Sequence, residues 1–543
     1  MPSSRVIVHT RYHERLVGIL ETRPVSELTI DQLSGRKRLA IICHGVYGHK
    51  NYCFQRLLAE SLPFDNYRFD FRGEGESEGM SPYDDAEGNV ADLSTVVNHF
   101  ENEGYFIYAL IGHSRGAFAC LKYASLHNRT IPHVVNIAGR FHMRLVLKNF
   151  ENAEMAPHLL EQLERMGYFN ATVVCGNYTK SYQISRQQIL NTSKLDNSHV
   201  ETFPRSTSVL TCHGTQDRFV SITDATEFAN CIPTHSLRIL PGADHNFSGR
   251  YGQQVVDIIL DYFGKNSQKR RVLRSINDHC VVRRWIEVEG VFNFRDVGGW
   301  ITREQKHVRA RYIYRSGELS GLTEKGIETL RRLGVKHIFD FRSILESEVM
   351  PSKEIPGIQR HHIPVFSMED YSPEKLQERF SCYTRGPAGY EEAYMTILAS
   401  GTTAYRNVFE HIASNPHEPL LVHCTGGKDR TGVFVMLLLV LLGLEPEFVC
   451  EEYALTQLAL SHSDTAANFL SNTFDDSLAP EEVQSFLSAS QESMQRTLRA
   501  FRRVYGTVEH YLVEHCGMSV ENVSRVREAL LEVPLDLKQK SKL

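Results

Sequence analysis

The stretch LLVHCTGGKDRTGVFVMLLLVLL, residues 420–442, sets a cysteine, two glycines and three charged residues between two apolar runs. PLLVH before the interruption reads as a buried strand, and TGVFVMLLLVLLG after it reads as a buried helix. Each part of His423-Cys424-Thr425-Gly426-Gly427-Lys428-Asp429-Arg430-Thr431 has a chemical reason. Successive backbone N–H groups in a glycine-permitted turn form an anion-binding nest. The helix N-terminus adds the positive end of its dipole. Arg430, six positions beyond Cys424 with five residues between, can hold two phosphate oxygens with its planar fork. The same positive field stabilises a thiolate, so the loop that binds an anion also activates its attacker. A nucleotide-binding reading fails, because a Walker A loop needs glycine where Val422 stands and Ser or Thr where Asp429 stands. Thr425, Gly426, Gly427 and Lys428 are the expected phosphate-binding positions.

A second interruption of similar shape lies in YALIGHSRGAFACLKYA, residues 108–124. Gly112-His113-Ser114-Arg115-Gly116 fits G-x-S-x-G between a strand-like run and a helix-like one, the setting in which a tight turn exposes the serine. A serine hydroxyl needs a base to take its proton and an acid to orient that base. Asp217 in CHGTQDRFVS and His245 in LPGADHNF follow in the required order. The oxyanion hole needs two backbone N–H groups. Arg115 is expected to supply one, and Val46 in CHGVYGHKN the other.

At 543 residues the chain is too long for one core, and two domains are expected. A formal net charge of −5 argues against a nucleic-acid partner dominated by phosphate contacts. The eleven cysteines show neither CxxC pairs nor regular spacing, so no disulfide framework and no zinc site is indicated. His361-His362 has no partner at metal-ligand spacing, so the expectation is no metal and no cofactor. No secretory signal is read at the N-terminus, and the longest apolar run, Val433 to Leu442, is too short to span a bilayer. The expected location is the cytoplasm.

RLAIICHG (38–45), YRFDFRG (67–73), FIYALIGHS (106–114), VVNIAG (134–139), STSVLTCHG (206–214) and SLRILPGADH (236–245) are short β-rich runs. Amphipathic helical segments separate them, which predicts a parallel sheet covered on both faces. The reading is an α/β domain over 1–264, a basic linker over 265–280, and a second α/β domain with a helical tail over 281–543.

Residues 1–264, with HGVYGHKN, DFRGEGESEG and GHSRG, resemble an α/β-hydrolase of the esterase and acyl-peptidase-like group. That resemblance implies a serine hydrolase acting on a small acyl substrate. A hydrolase half that only binds a ligand or partner is the alternative. Residues 285–465 resemble the tyrosine phosphatases with the HCxxGKDRTG loop, through FNFRDVGG (292–299), the run YRSGELSGLTEKGIETLRRLGVKHIFDFRS (314–343) with Glu346 after it, and the loop itself. This implies a cysteinyl-phosphate intermediate on Cys424, with phosphotyrosine protein or phosphoinositide as substrate. By resemblance Asp429 is the general acid, with Asp370 the runner-up and a structural brace the other reading of Asp429. Lys428 reads either as a second cation for a doubly phosphorylated lipid head or as a solvated side chain. Arg295, Asp296, Asp340 and Arg342 are expected to buttress the fold, and His423 to hydrogen-bond near the cysteine.

Overall fold

The computed structural model describes residues 2–26, 29–126, 131–147, 150, 157–175, 178–204, 206–264, 284–367, 370, 373–460 and 485–532. The chain divides into two compact units, Met1–Ser275 and Ile276–Leu543. The expected linker, 265–280, lies outside the described residues. Among the described residues no helix is long and apolar enough to cross a membrane.

The first unit contains strands β1 (Ser3–His9), β2 (Arg15–Glu21), β3 (Arg38–Cys43), β4 (Asp65–Phe69), β5 (Phe106–His113), β6 (His133–Ile137), β7 (Tyr168–Cys175), β8 (Tyr178–Ser185), β9 (Ser208–Gly214) and β10 (His235–Leu240). Eight of them share a sheet in the order β1-β2-β4-β3-β5-β6-β9-β10, parallel from β4 onward. Successive side chains of a strand point to opposite faces. In β3, Ile41 joins the core beneath helices Ala86–Asn102 and Arg115–Leu126, while Ala40 and Ile42 join the core beneath helices Gln55–Ser61 and Arg250–Phe263. Both faces are dry, so these strands read as continuous apolar runs.

Two features escaped the sequence reading. β1 and β2 form an antiparallel pair at the sheet edge, where β1 is largely exposed and its apolar signal is thin. β7 and β8 form a separate antiparallel hairpin outside the main sheet.

The second unit holds β11 (Arg295–Asp296), β12 (His307–Val308), β13 (Ile313–Ser316), β14 (His337–Asp340), β15 (Gln359–His362), β16 (Leu420–His423) and β17 (Leu531–Glu532). Its main sheet runs β11-β13-β16-β14-β15, with β16 central and parallel to both neighbours. The helix Asp429–Leu441 that follows β16 is buried almost all round. Helices Pro446–Ala454, Gln491–Tyr505 and Val520–Leu530 build the helical tail. β17 ends the described chain by pairing with β12.

The turn after β5 is tight enough to exclude side chains at two places. A Cβ on Gly112 would lie 2.4 Å from the Gly116 carbonyl oxygen. A Cβ on Gly116 would lie 2.4 Å from the His44 oxygen and 2.5 Å from that of Cys43. These obstacles are backbone atoms, of the following helix for Gly112 and of the end of β3 for Gly116, and cannot swing aside. Gly116→Ala is therefore expected to destabilise the first unit by about 1–3 kcal/mol, read as a lowered midpoint of its thermal or urea transition.

Candidate active sites

In the first unit, Ser114 occupies the turn between β5 and helix Arg115–Leu126 with φ of 53°, a left-handed conformation that costs a non-glycine residue energy. Its amide donates to the Ile137 oxygen at 2.8 Å, which fixes the turn against β6. Asp217, three residues beyond β9, accepts the Phe219 and Val220 amides on one oxygen, both at 2.9 Å. Its other oxygen lies 2.7 Å from His245 Nδ1. An Nδ1–H donating to that carboxylate leaves Nε2 with its lone pair, and Nε2 lies 3.1 Å from Ser114 Oγ. Burial opposes ionisation of Asp217, but the hydrogen bond and charge of His245, with His213 nearby, hold its carboxyl below the usual range. Buried His113, pushed down to about 3 by burial and then by His245, sits with Nε2 2.9 Å from the His245 oxygen and steadies that backbone.

Val46 and Arg115 line a cavity of about 270 Å³ beside Ser114. Tyr52, Phe118, Met143, Val146 and Phe219 make much of its wall apolar. Glu74, fully buried and not anticipated, organises this mouth. One of its oxygens accepts the Tyr47 amide at 2.9 Å and the Arg115 guanidinium at 3.0 Å. The Tyr47 amide is thereby taken, and Val46 precedes it on the same loop.

In the second unit, Cys424 is buried at the end of β16 and the helix begins at Asp429. The loop between them is suspended by its carbonyls. The Glu318 amide donates to the Thr425 oxygen at 3.0 Å. Asn293 Nδ2 reaches the Gly426 and Gly427 oxygens at 3.0 and 3.1 Å. Arg315 reaches the Gly427 oxygen at 2.6 Å. Because a trans peptide is planar, each carbonyl pulled outward turns the next residue's N–H to the opposite side. Gly427 has φ of 58°, and a Cβ there would stand 2.2 Å from the Ser316 oxygen.

A buried ion set holds these pegs. Glu452 accepts Arg295 at 2.8 Å and Arg315 at 2.6 Å, and Arg295 also donates to the Asn293 side-chain oxygen. Burial works against the Glu452 charge, but the two guanidiniums hold its carboxyl below the usual range. Arg295 thus positions Asn293, which bonds the loop. Asp296 accepts the Gly298 and Arg311 amides, and Asp340 is paired with Arg342 and Arg360. His423, pushed down to about 4 by burial, lies 3.4 Å from the Cys424 oxygen and 3.5 Å from Asp340.

Arg430 is gripped by Glu346 through two bonds of 2.6 and 2.7 Å and lies 3.2 Å from Thr425 Oγ1. Asp429 Oδ1 accepts the Tyr394 hydroxyl at 2.8 Å, and that hydroxyl lies 2.6 Å from Tyr453. Burial, then the Asp429 charge, pushes both phenols up and keeps them protonated. Asp370 is occupied elsewhere, accepting Ser367 at 2.8 Å and Lys375 at 3.0 Å.

Lys428 differs from both expectations. It is buried, and its ammonium donates to the Tyr390 hydroxyl at 2.8 Å and the Phe486 oxygen at 2.6 Å. It is neither a solvated side chain nor aimed with the loop amides, because the long stem turns away at the start of the helix. Glu74, Asn293, Glu346, Glu452 and Tyr394 are the site residues without an assigned role in the sequence. FNFRDVGG was singled out there, but its asparagine carried no signal until the fold set it beside the loop.

The folds and sites define two α/β domains, each with a candidate nucleophile, Ser114 or Cys424, at a strand-to-helix turn. Residues 40–258 match the alpha/beta hydrolase family, and residues 286–532 match the tyrosine phosphatase family. The chain is therefore an N-terminal alpha/beta hydrolase domain followed by a C-terminal tyrosine phosphatase-family domain. It is similar to a Mycobacterium tuberculosis protein named triple specificity protein phosphatase PtpB, 28% identical over 282 residues, covering 45% of this chain and 98% of that one. A tyrosine-protein phosphatase of Nostoc commune is 27% identical over 230 residues, 41% of this chain and 75% of the relative. The solved structure of Est1E from Butyrivibrio proteoclasticus with ferulic acid aligns at 16% identity and a TM-score of 0.37, over 47% of this chain and 97% of that one.

The Glu346–Arg430 pair sets a pH dependence. Burial alone would raise the Glu346 carboxyl, but Arg430 and Thr425 hold it well below the usual range. A carboxyl depressed in the folded state adds stability that is present above its unfolded value, about 4.3, and is lost as pH falls through the folded one. Wild type should therefore exceed Glu346→Gln in stability most at pH 7, and the gap should narrow as pH falls toward 3. Denaturant titrations across that range check it, and a gap that is constant with pH would contradict it.

Proposed function

We propose that the second domain is a phosphoric monoester hydrolase acting through a cysteinyl-phosphate. The outward suspension of the Thr425, Gly426 and Gly427 carbonyls carries this reading, because it aims three amides at the side where Cys424 would meet a phosphate. Cys424 Sγ forms a bond to phosphorus as the bond to the leaving oxygen breaks. Asp429 delivers its proton to that oxygen, and its half-buried carboxyl is oriented by Tyr394. Arg430, braced by Glu346, and the Gly426, Gly427 and Lys428 amides carry the charge on the equatorial oxygens. Water then attacks phosphorus, gives its proton to Asp429, and the S–P bond breaks to release phosphate. The relative named as a triple specificity phosphatase and the one named as a tyrosine-protein phosphatase support this class. The inward turn of Lys428 favours a phosphotyrosine protein over a doubly phosphorylated lipid head, since its ammonium is committed to Tyr390 and Phe486 and not to a second phosphate.

The first domain we read as a serine hydrolase for a small acyl group. Ser114 Oγ attacks the carbonyl and His245 takes its proton. Asp217 holds the imidazole, and the Val46 and Arg115 amides receive the oxyanion. His245 then passes the proton to the leaving group, and water hydrolyses the acyl-serine. The spacing of Asp217, His245 and Ser114 at 2.7 and 3.1 Å favours a catalytic over a purely binding role.

Phosphate release from a phosphotyrosine peptide and from a phosphoinositide tests the second domain. Cys424→Ser should abolish release, and Asp429→Asn should slow it by about 10²–10⁴-fold. Wild type that releases phosphate from neither substrate, nor from an aryl phosphate, would overturn the assignment. A fluorophosphonate probe should label wild type and spare Ser114→Ala. Labelling of neither protein would leave the first domain as a binding module.

A further inference from the structure

His361, which has no metal partner at short spacing in the sequence, acquires two in the fold. One ring nitrogen from each of His337, His361 and His411 lies within 4.8 Å of the others. We propose that His337, His361 and His411, with Glu418 behind them, form a binding site for one divalent transition-metal ion of the zinc type.

The site is built by the second domain's sheet and one helix. His337 opens β14, and His361 stands on the parallel neighbour β15, where it pairs in register with Phe339. Residues two apart on a strand share a face, so His337 and Phe339 both present to the helix Thr402–Ser414, which brings His411. Phe339 stacks on the His361 ring at 4.5 Å and fixes its plane. The cluster is level with Leu420, the partner of His337 across β16, and so lies about 13 Å along the strands from Cys424.

Three observations point to a cation here. His337 Nε2 lies 2.8 Å from Glu418 Oε2. An Nε2–H donating to that carboxylate leaves the Nδ1 lone pair facing inward, the arrangement by which a carboxylate orients a metal-ligating histidine. His337 Nδ1 then faces His361 Nε2 at 3.0 Å, two ring nitrogens meeting across a single proton. His411 Nε2 is buried without a hydrogen-bond partner among the described residues. Tetrahedral zinc with Zn–N bonds of 2.0–2.1 Å needs nitrogens about 3.4 Å apart, so the three can reach it by side-chain rotation. The ion takes the place of the proton between His337 and His361, which moves to His361 Nδ1 or to solvent. Asn415 Nδ2 lies 3.3 Å from His411 Nδ1. Binding the ion at Nε2 puts the ring proton on Nδ1 and displaces the Asn415 amide from that nitrogen, while Asn415 Nδ2 keeps its bond to the His411 oxygen at 3.1 Å.

The test is Zn²⁺ titration of the full chain in a Cys424→Ser background, which removes the loop thiol as a competing ligand. One ion per chain should bind, and Co²⁺ in its place should show the ligand-field bands of a tetrahedral nitrogen site. His411→Phe keeps a ring in the packing, and His361→Gln alters a partly exposed position. Each should weaken Zn²⁺ binding at least 100-fold, and Glu418→Gln should weaken it about 10–100-fold. Zn²⁺ should also raise the melting temperature of the parent but not of the folded variants, with circular dichroism confirming the fold. Absence of stoichiometric binding in the parent would overturn the proposal, as would equal affinity in His411→Phe and His361→Gln.

Discussion

Both candidate nucleophiles depend on one constraint, a parallel strand handing over to a helix in a turn too tight for side chains. Gly116 packs its backbone against Cys43 and His44, and Gly427 packs against Ser316 with φ of 58°. In each case the approach is backbone to backbone, so only the absence of a Cβ permits it. Each candidate nucleophile therefore stands at the end of a buried strand, with a helix N-terminus next to it. The two sites diverge from there by the charge they must meet. A serine is neutral and needs the His245–Asp217 relay. The cysteine loop is flanked instead by the Arg430 guanidinium and by amides turned to one side by the outward pull on the Thr425, Gly426 and Gly427 carbonyls.

What holds the second loop open is a set of buried charges with modest value as stabilisers. Removing Arg295, Arg315 and Glu452 from water costs energy that their mutual attraction only partly returns. Their effect is geometric. Glu452 fixes two guanidiniums, one of which orients Asn293, and Asn293 and Arg315 then hold the Gly426 and Gly427 carbonyls outward. Glu74 plays a comparable part in the first domain, where one oxygen joins the Tyr47 amide to Arg115. A hydrophobic replacement of either carboxylate could pack as well and would leave the loops without pegs.

The parts legible in the sequence were those encoded by neighbours along the chain. Strands covered on both faces appear as apolar runs, and the two strand–turn–helix segments keep their chemistry within a dozen residues. The chain order Ser114, Asp217, His245 could be used because the fold fixes where each strand ends. The illegible parts are pairings across long separations between common residue types. Glu346 meets Arg430 across 84 positions, and Asn293 meets Gly427 across 134. His361 finds partners 24 positions before it and 50 after it. Nothing local distinguishes such an asparagine or histidine from a surface one. β1 was missed for a related reason, since its exposed edge gives little apolar contrast.

Lys428 is the residue for which local sequence pointed the wrong way, and its placement bears on the chemistry beside it. A four-carbon stem can send its ammonium to either side of a helix start. Here the head lies over the rings of Tyr390, Phe486 and Tyr383 at 4.8, 5.3 and 5.5 Å, and it donates to the Phe486 carbonyl. Burial lowers its proton affinity, and the Asp429 charge 3.6 Å away acts against that. It therefore ties residues 486–488 to the loop instead of extending toward an anion. The positive charge available at Cys424 then comes from Arg430 and backbone amides. That inventory, one fork and one nest of amides beside the thiol, is what the proposed phosphatase reading rests on.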